Sequence, residues 1–281
     1  MIGILFGGDI VGKPGRDAVA RLVPLLRKRH GVDCVVANAE NAAGGSGVTP
    51  EIVEELLSAG VDVLTSGDHV WRNRAVYGIM GREDRLLRPA NYPEEAPGKG
   101  RVLVTLPGGA KLGVVNVMGR VFMKPADCPF KAAAREVEAL RVETPLILVD
   151  MHAEATSEKI ALGRWLDGKM TAVIGTHTHV QTADERLLPG GTAYLTEAGM
   201  TGPCESVLGR EIGAVVRHFV TQLPERFEVA REGVEFQGAL VRADEKTGRA
   251  VSIERIREKL PASSRRSEER RVGKECIAVC R

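Results

Sequence analysis

Five short apolar runs, each followed directly by polar residues, constrain the fold of this chain more than any other feature. The runs span residues 2–6, 34–37, 61–64, 146–149 and 171–174. Amphipathic segments of helical period alternate with the apolar runs, as the stretch 16–30 does, and this alternation is typical of an α/β fold. Because ligands of open α/β sheets bind outside the carboxyl ends of the strands, the five polar endings predict one shared site.

The remaining elements fit a mixed sheet with helices outside it. One helix is predicted to begin with Thr49 as its N-cap and Pro50 at its first position, and to stop at Gly60. A strand over 191–196 and a helix over 211–222 are also predicted. Two β-hairpins are predicted, one joining 102–106 to 112–117 and one joining 234–241 to 250–257. No repeat or linker forces a boundary, so we expect a single domain over residues 1–261.

Residues 262–281 differ from the rest of the chain, because they are highly charged and show no periodicity. This composition predicts a disordered tail, and the segment resembles a remnant of an expression vector. Cys276 and Cys280 lie within it and therefore carry no weight in the functional argument.

Composition excludes several classes of protein. With 43% hydrophobic and 27% charged residues, the chain is typical of a globular enzyme. Aromatic residues make up only 4%, which argues against a base-stacking RNA surface, and no P-loop motif supports an NTPase. The sequence contains no secretory signal and no apolar run long enough to span a membrane. Its five cysteines lack C-x-x-C spacing and fit reduced thiols, so we expect a cytoplasmic protein.

The polar residues that follow the predicted strands are of the types that bind metal ions. His177 and His179 are two residues apart, and in an extended chain such residues point to the same side. With the acids and the asparagine at other strand ends, the candidates exceed the three protein ligands of a single catalytic zinc. We therefore predict two metal ions, and the mixed oxygen and nitrogen donors suit iron, manganese or zinc. The candidate ligands are Asp9, Glu40, Asn41, Asp68, His152, His177 and His179.

Several longer motifs resemble those of known enzymes. NAEN at 38–41, SGDH at 66–69 and GTHTH at 175–179 are similar to the ordered motifs of calcineurin-like metallophosphoesterases. More narrowly, GDIVGKPGR, DMHAEATSEK and TEAGMTGP resemble the bacterial YmdB-like family, whose members act as 2′,3′-cyclic nucleotide phosphodiesterases. The resemblance implies two mixed β-sheets packed as a sandwich flanked by helices. It also implies a small phosphodiester substrate, either a cyclic nucleotide or one derived from RNA.

The resemblance further implies a role for each residue of the site. One metal would be held by Asp9, Glu40, Asn41 and His179, and the other by Glu40, Asp68, His152 and His177. Iron is the metal it favours, with manganese as the alternative. A hydroxide that bridges the two ions would attack phosphorus, and His69 would give a proton to the leaving oxygen. The alternative for His69 is a structural histidine beside the site.

Basic residues in two of the motifs are candidates for binding the substrate phosphate. They are Arg120 in MGRVFM and Lys13 and Arg16 in VGKPGR. A guanidinium group can bind phosphate through two hydrogen bonds, and an ammonium group binds it as a point charge. The alternative for each residue is a solvated surface charge.

Two residues depart from the pattern of the family. Asp68 stands where asparagine is usual, and this third carboxylate should tighten metal binding. The same charge should weaken the polarising power of the metal and repel a phosphate. Glu197 stands where aspartate is usual, and we expect that change to be neutral.

Three other functions and the number of subunits stay open. A phosphomonoesterase would use the same metals, and so would a regulatory protein that binds a nucleotide or RNA with little turnover. Asp68 is the residue that favours the regulatory alternative. A metal-dependent amidohydrolase is disfavoured, because its H-x-H pair usually opens the chain. The sequence does not decide the oligomeric state, and a homo-oligomer is one alternative.

Overall fold

The computed structural model describes residues 1–261, which form two β-sheets packed face to face with helices on both outer sides. The strands are β1 (Ile2–Gly7), β2 (Asp9–Ile10), β3 (Cys34–Asn38), β4 (Val63–Thr65), β5 (Arg101–Thr105), β6 (Lys111–Met118), β7 (Ile147–His152), β8 (Ala172–Thr176), β9 (Arg186–Leu187), β10 (Ala193–Leu195), β11 (Met200–Pro203), β12 (Val234–Ala243) and β13 (Ala250–Lys259). The helices are α1 (Gly12–His30), α2 (Pro50–Ser58), α3 (Tyr77–Met80), α4 (Pro129–Arg141), α5 (Thr156–Trp165) and α6 (Ile212–Thr221). This architecture confirms the predicted fold class. The tail predicted over 262–281 lies outside the described residues.

Both sheets contain parallel and antiparallel strands. In the first sheet the order is β2-β11-β12-β1-β3-β4, and β13 also pairs with β12. There β1, β3 and β4 are mutually parallel, whereas β12 is antiparallel to β1 and to β13. In the second sheet the order is β5-β6-β7-β8-β10-β9, with β6, β7, β8 and β10 parallel. Parallel neighbours end at the same edge of each sheet, so loops from distant parts of the chain meet there.

Three apolar layers explain why the strand sequences are almost continuously hydrophobic. Ile4 and Leu148 belong to the layer between the two sheets. Leu5, the next residue along β1, faces the opposite way and lies in the layer that contains Leu22 of α1. On the far side of the second sheet, Val149 belongs to the layer under α4 and α5. The central strands are therefore buried on both faces, as in other sheets covered by helices.

Several local predictions are confirmed, and one helix boundary is wrong. The Thr49 side chain accepts a hydrogen bond from the Ile52 N–H at the start of α2, and both predicted hairpins form. Helix α1 begins at Gly12, four residues before the predicted start at Arg16. Pro14 does not prevent this early start, because the first turn of a helix leaves its N–H groups without helical partners. Within residues 1–261, no helix combines the length and the apolar character needed to cross a bilayer.

Candidate metal centre

The two sheets bring the polar strand endings to one place. Asp9 starts β2 directly after β1, Glu40 follows β3 and Asp68 follows β4. From the second sheet, His152 is the last residue of β7 and His177 comes directly after β8. The first three side chains thus come from one sheet and the two imidazoles from the other, so the centre lies across the top of the sandwich.

Four of the candidate ligands form a compact group, namely Glu40, Asp68, His152 and His177. One nitrogen or oxygen atom from each lies within 4.8 Å of the corresponding atom of every other. The Nε2 atom of His152 is 3.2 Å from Glu40 Oε2 and 3.1 Å from His177 Nδ1. Such a set of facing carboxylate oxygens and imidazole nitrogens has the donor types that iron, manganese and zinc accept.

The other three candidates form a second group that reaches Glu40 through Asn41. The Nδ2 atom of Asn41 is 3.3 Å from Glu40 Oε1 and 3.1 Å from His179 Nε2. His179 Nε2 is in turn 3.9 Å from Asp9 Oδ1. The two oxygens of Glu40 therefore face different partners, Oε2 facing His152 and Oε1 facing the side chain of Asn41.

Two buried oxygen atoms fit this interpretation. Within the described residues, neither Asp9 Oδ1 nor Asp68 Oδ1 has a hydrogen-bond partner. A buried carboxylate oxygen without a partner is costly, and bound cations are one of the few arrangements that compensate it. Together with the facing nitrogens of His152 and His177, these oxygens show that the residues present fit metal ions.

Charge balance within the group sets the protonation of its members. Burial by itself would raise the pKa of Glu40, but the adjacent His152 outweighs burial and holds that pKa well below its usual range. Burial would lower the pKa of His152, yet Glu40 and Asp68 raise it well above the ordinary value. Burial would also raise the pKa of Asp68, but the nearby imidazoles of His152 and His69 outweigh it and lower that pKa to about 2. A charged His152 therefore balances two ionised carboxylates.

The pKa values of the two histidines in the H-x-H motif are lowered, whereas the pKa of His152 is raised. Burial, reinforced by the charge of His152, lowers the pKa of His177 to about 4. Burial also lowers the pKa of His179. Both imidazoles are consequently neutral at pH 7, which is the form that binds a metal ion. Burial raises the pKa of Asp9 well above its usual value, although the attraction of His152 partly opposes this.

A polar network between the sheets orients His152. Its Nδ1 lies 2.9 Å from Thr176 Oγ1, and the Thr176 hydroxyl donates to Asp150 Oδ1 at 2.7 Å. The other oxygen of Asp150 accepts from Thr65 Oγ1 and Asn38 Nδ2. Because the Thr176 hydroxyl is used as a donor to Asp150, its oxygen accepts the Nδ1 proton of His152. This arrangement directs Nε2 of His152 toward the ligand group.

His69 lies at the edge of the centre, as a proton donor would. Its Nδ1 is 3.1 Å from Asn41 Oδ1 and 3.2 Å from Glu40 Oε1, while its Nε2 is 3.8 Å from Asp68 Oδ2. The backbone N–H of His69 donates to Glu40 Oε2 at 3.2 Å. The candidate ligands Asn41 and Glu40 thus contact Nδ1, whereas Nε2 forms no hydrogen bond within the described residues.

A cleft of about 290 Å³ opens onto these residues. Its lining includes Glu40, His69, His177, His179 and Arg210. Arg210 contacts the carbonyl oxygens of Gly44 and Gly45, so its guanidinium group braces the loop after Asn41. A cleft of this size can hold a small molecule but not a folded macromolecule.

The structure places two of the three predicted phosphate-binding residues in ion pairs. Lys13 Nζ is 2.6 Å from Asp17 on the same helix, and Arg16 Nε is 2.8 Å from Glu55 of α2. Neither is among the described residues that line the cleft. Arg120 is exposed, and its backbone N–H is held by Glu158. The role of all three in binding phosphate stays a prediction.

Sequence reasoning missed a cation that touches the centre. Lys124 Nζ lies 3.2 Å from Asp68 Oδ2 and donates to the Asp68 carbonyl oxygen. It also missed Glu154, whose Oε2 is 3.1 Å from His177 Nε2. Glu154 follows His152 by two residues, a spacing that could have drawn attention to it. Lys124 lies in an irregular loop and carries no comparable signal.

The prediction that the H-x-H pair lies on extended chain is wrong. His177 and His179 do not lie on extended chain, since their φ angles are 100° and 62°. The backbone instead turns, which brings His177 toward His152 and His179 toward Asn41. Both imidazoles reach the site, but each one faces a different set of ligands.

Fold and site together define a phosphoric ester hydrolase of the calcineurin-like metallophosphoesterase superfamily, with residues suited to binding metal. A family model described as YmdB-like protein matches residues 5–256, and the chain belongs to that family.

Known relatives match the chain over nearly its whole length. A protein of Bacillus subtilis (strain 168) named 2′,3′-cyclic-nucleotide 2′-phosphodiesterase is 46% identical over 253 residues, covering 90% of this chain and 96% of that protein. The crystal structure of a hypothetical protein from Thermus thermophilus has a TM-score of 0.86 at 41% identity and covers 92% and 100% of the two chains. That of a novel phosphatase from Mycoplasma pneumoniae has a TM-score of 0.86 at 34% identity, with 92% and 93% covered.

Proposed function

We propose that this chain is a phosphodiesterase that uses two metal ions and acts on 2′,3′-cyclic nucleotides. The observation that carries the proposal is that the two oxygens of Glu40 face two groups of candidate ligand residues, one containing His152 and the other containing Asn41. The 46% identity to the Bacillus subtilis protein supports the substrate class. A cleft of about 290 Å³ agrees with a substrate of this size.

The proposed ligand sets follow the observed contacts. Glu40 belongs to both sets. The first set is Asp9, Glu40, Asn41 and His179, and the second is Glu40, Asp68, His152 and His177. We propose iron as the metal, with manganese as the alternative, since imidazole and carboxylate donors suit both. A cytoplasmic location stays a prediction, and a homo-oligomer stays one alternative for the assembly.

The bound ions would supply Lewis acidity to the phosphoryl group and lower the pKa of the attacking water. Residues of the chain supply the proton and position the group that donates it. Because Nδ1–H of His69 faces the acceptor oxygens of Asn41 and Glu40, the donor form is the ring protonated on both nitrogens. Its Nε2 proton passes to the ribose oxygen as the bond from that oxygen to phosphorus breaks, and the water oxygen forms a new bond to phosphorus. The hydrogen bonds of His69 to Asn41 and Glu40 hold the ring in place for this transfer. The product is a nucleotide with one phosphomonoester and one free hydroxyl.

The test uses protein reconstituted with iron or with manganese and three substrates. These are 2′,3′-cyclic AMP, bis-p-nitrophenyl phosphate and the monoester 3′-AMP. We expect about two metal ions per chain, turnover of both diesters and little turnover of the monoester. A His69→Ala variant should keep its metal and lose turnover of the cyclic nucleotide, and His30→Ala, at the far end of α1, is the matched control.

Other outcomes of this test would favour a regulatory binding protein or a phosphomonoesterase. Two bound metals with no turnover of any diester would contradict the enzyme and favour a regulatory nucleotide- or RNA-binding protein. Asp68 is the observation that favours this second candidate, because its extra charge opposes a phosphate. Faster turnover of the monoester than of the diesters would assign a phosphomonoesterase to the same metal site.

A further inference from the structure

A buried ion pair lies beneath the metal ligands and is not explained by them. Lys159 Nζ on α5 is 2.8 Å from Glu197 Oε2, and both side chains are 0% exposed. Burying two charges costs several kcal/mol per ion, by general estimates, unless further hydrogen bonds compensate them. Gly175 makes the pair possible, because a Cβ atom there would lie 2.7 Å from Cδ of Lys159. Because burying both charges has a high desolvation cost, we expect the ion pair to have a structural or functional role.

Glu197 binds the middle of the H-x-H turn. Its Oε2 accepts from the Thr178 N–H at 2.9 Å and from the Thr178 hydroxyl at 2.6 Å. Its Oε1 accepts from the Gly199 N–H at 3.1 Å. Thr178 is the residue between His177 and His179, so one carboxylate ties both candidate ligands to the buried Lys159. The neutral effect expected of glutamate in place of the usual aspartate stays a prediction.

The backbone that Glu197 holds is strained. His177 has φ 100° and His179 has φ 62°, in a region that residues other than glycine rarely adopt. Such a conformation destabilises the chain and persists only where the surroundings enforce it. The His177 N–H is also held, by Asp9 Oδ2 at 3.0 Å. The N–H groups of His177 and Thr178, which donate to Asp9 and Glu197, thus fix two successive peptide groups of the turn.

We propose that Lys159 and Glu197 are positioning residues that hold the strained turn in the conformation that presents His177 and His179 to metal. Lys159 neutralises the buried carboxylate, and the carboxylate fixes Thr178. This inference rests on the proposed metal site and adds residues that do not touch the ions. Because His177 and His179 belong to different ligand sets, loosening the turn should weaken the binding of both ions.

The experiment measures manganese affinity, by competition with a fluorescent chelator, rather than turnover. Thr178→Val removes the hydroxyl at nearly constant size, and Thr178→Ser restores it. We expect about tenfold weaker binding in Thr178→Val and recovery of most of the affinity in Thr178→Ser, within the range of losses seen when residues behind metal ligands are changed. Thermal unfolding of the metal-free proteins shows whether the fold is intact.

A double variant tests the ion pair itself. Lys159→Met with Glu197→Gln removes both charges together, which avoids leaving one of them buried and uncompensated. We expect the double variant to fold and to bind manganese about 10- to 100-fold more weakly, with excess metal restoring occupancy.

The outcomes separate this inference from the proposed function. Wild-type affinity in both Thr178→Val and the double variant would overturn the inference and leave the metal site standing. Equal losses in Thr178→Val and Thr178→Ser would overturn the role of the hydroxyl contact. Failure of the wild-type chain to bind manganese or iron would overturn both the inference and the proposed function.

Discussion

Lys124 Nζ lies 3.2 Å from Asp68 Oδ2, so the additional carboxylate of this metal centre is matched by a cation from a facing loop. The same ammonium group also donates to the Asp68 carbonyl oxygen. Lys124 is half exposed and stands at the edge of the site where His69 approaches Asp68. The pair offsets the repulsion that a third carboxylate would otherwise exert on an anionic substrate.

Removing the Lys124 charge should therefore weaken substrate binding. We expect Lys124→Met to raise KM for 2′,3′-cyclic AMP about two- to fivefold at saturating metal, since partly exposed charge interactions contribute about 0.2–1 kcal/mol. The effect should shrink as salt is added, because the interaction is screened. Steady-state kinetics at low and high ionic strength measure it. Lys246, in the loop between β12 and β13, provides a matched control as Lys246→Met, and an unchanged KM in Lys124→Met would contradict the prediction.

Replacing the acid itself should separate metal binding from substrate binding. In Asp68→Asn we expect about tenfold weaker metal binding, equivalent to about 1.4 kcal/mol, because an anionic ligand becomes neutral. At saturating metal, KM for the diester should fall, since the repulsion is removed and Lys124 is released toward the phosphate. Metal titration and steady-state kinetics on the same preparation measure the expected loss of metal affinity and the expected fall in KM. A higher KM at full metal occupancy would show that Asp68 does not oppose the substrate.

Gly67 offers a way to block the centre without altering its ligands. A Cβ atom at this position would lie 2.2 Å from both Glu40 Oε2 and His152 Nε2, far inside contact distance. Gly67→Ala should therefore displace these ligands and reduce metal affinity by more than about 100-fold, or about 2.7 kcal/mol. Gly78→Ala is the matched control, because its Cβ would meet nothing within 4 Å. Wild-type metal content in Gly67→Ala would show that Glu40 and His152 do not jointly hold a metal.

Much of the centre could be predicted because each candidate ligand lies at the end of a strand or within three residues of it. Burial on both faces makes such strands visible as apolar runs, and the polar residue that ends each run then stands out. The fold class followed from the same alternation. The N-cap at Thr49 was predicted because capping depends only on neighbouring residues.

Contacts between distant loops could not be predicted in this way. Lys124 and Asp68 are 56 residues apart, and nothing in either local sequence indicates that they meet. The positive φ angles of His177 and His179 depend on Glu197 and Asp9, which lie on other strands or loops. Lys13 and Arg16 lie in a motif that suggests phosphate binding, yet neighbouring carboxylates pair with them in the fold. Such features depend on tertiary geometry.

Metal binding should release protons at pH 7. Burial lowers the pKa of His152, but Glu40 and Asp68 outweigh burial and raise it well above the usual value, so this imidazole is protonated before a metal ion displaces its Nε2 proton. His177, with a pKa of about 4, is already neutral and contributes no proton at this pH. Affinity should therefore fall as pH is lowered from 7. Calorimetric titration with manganese in buffers of different ionisation enthalpy measures the release, and identical enthalpies in every buffer would contradict it.

The role of His69 as a proton donor predicts that its removal will affect substrates unequally. The ribose oxygen that leaves from a cyclic nucleotide is strongly basic and needs a proton, whereas nitrophenolate is a weak base and departs without one. We expect His69→Ala to lower kcat for 2′,3′-cyclic AMP by about 10²–10⁴-fold, the usual contribution of general acid catalysis. Hydrolysis of bis-p-nitrophenyl phosphate should fall less than about tenfold, because only geometry around Asn41 is disturbed. Equal losses on both substrates, with metal content unchanged, would assign His69 to holding Asn41 and Glu40 rather than to proton transfer.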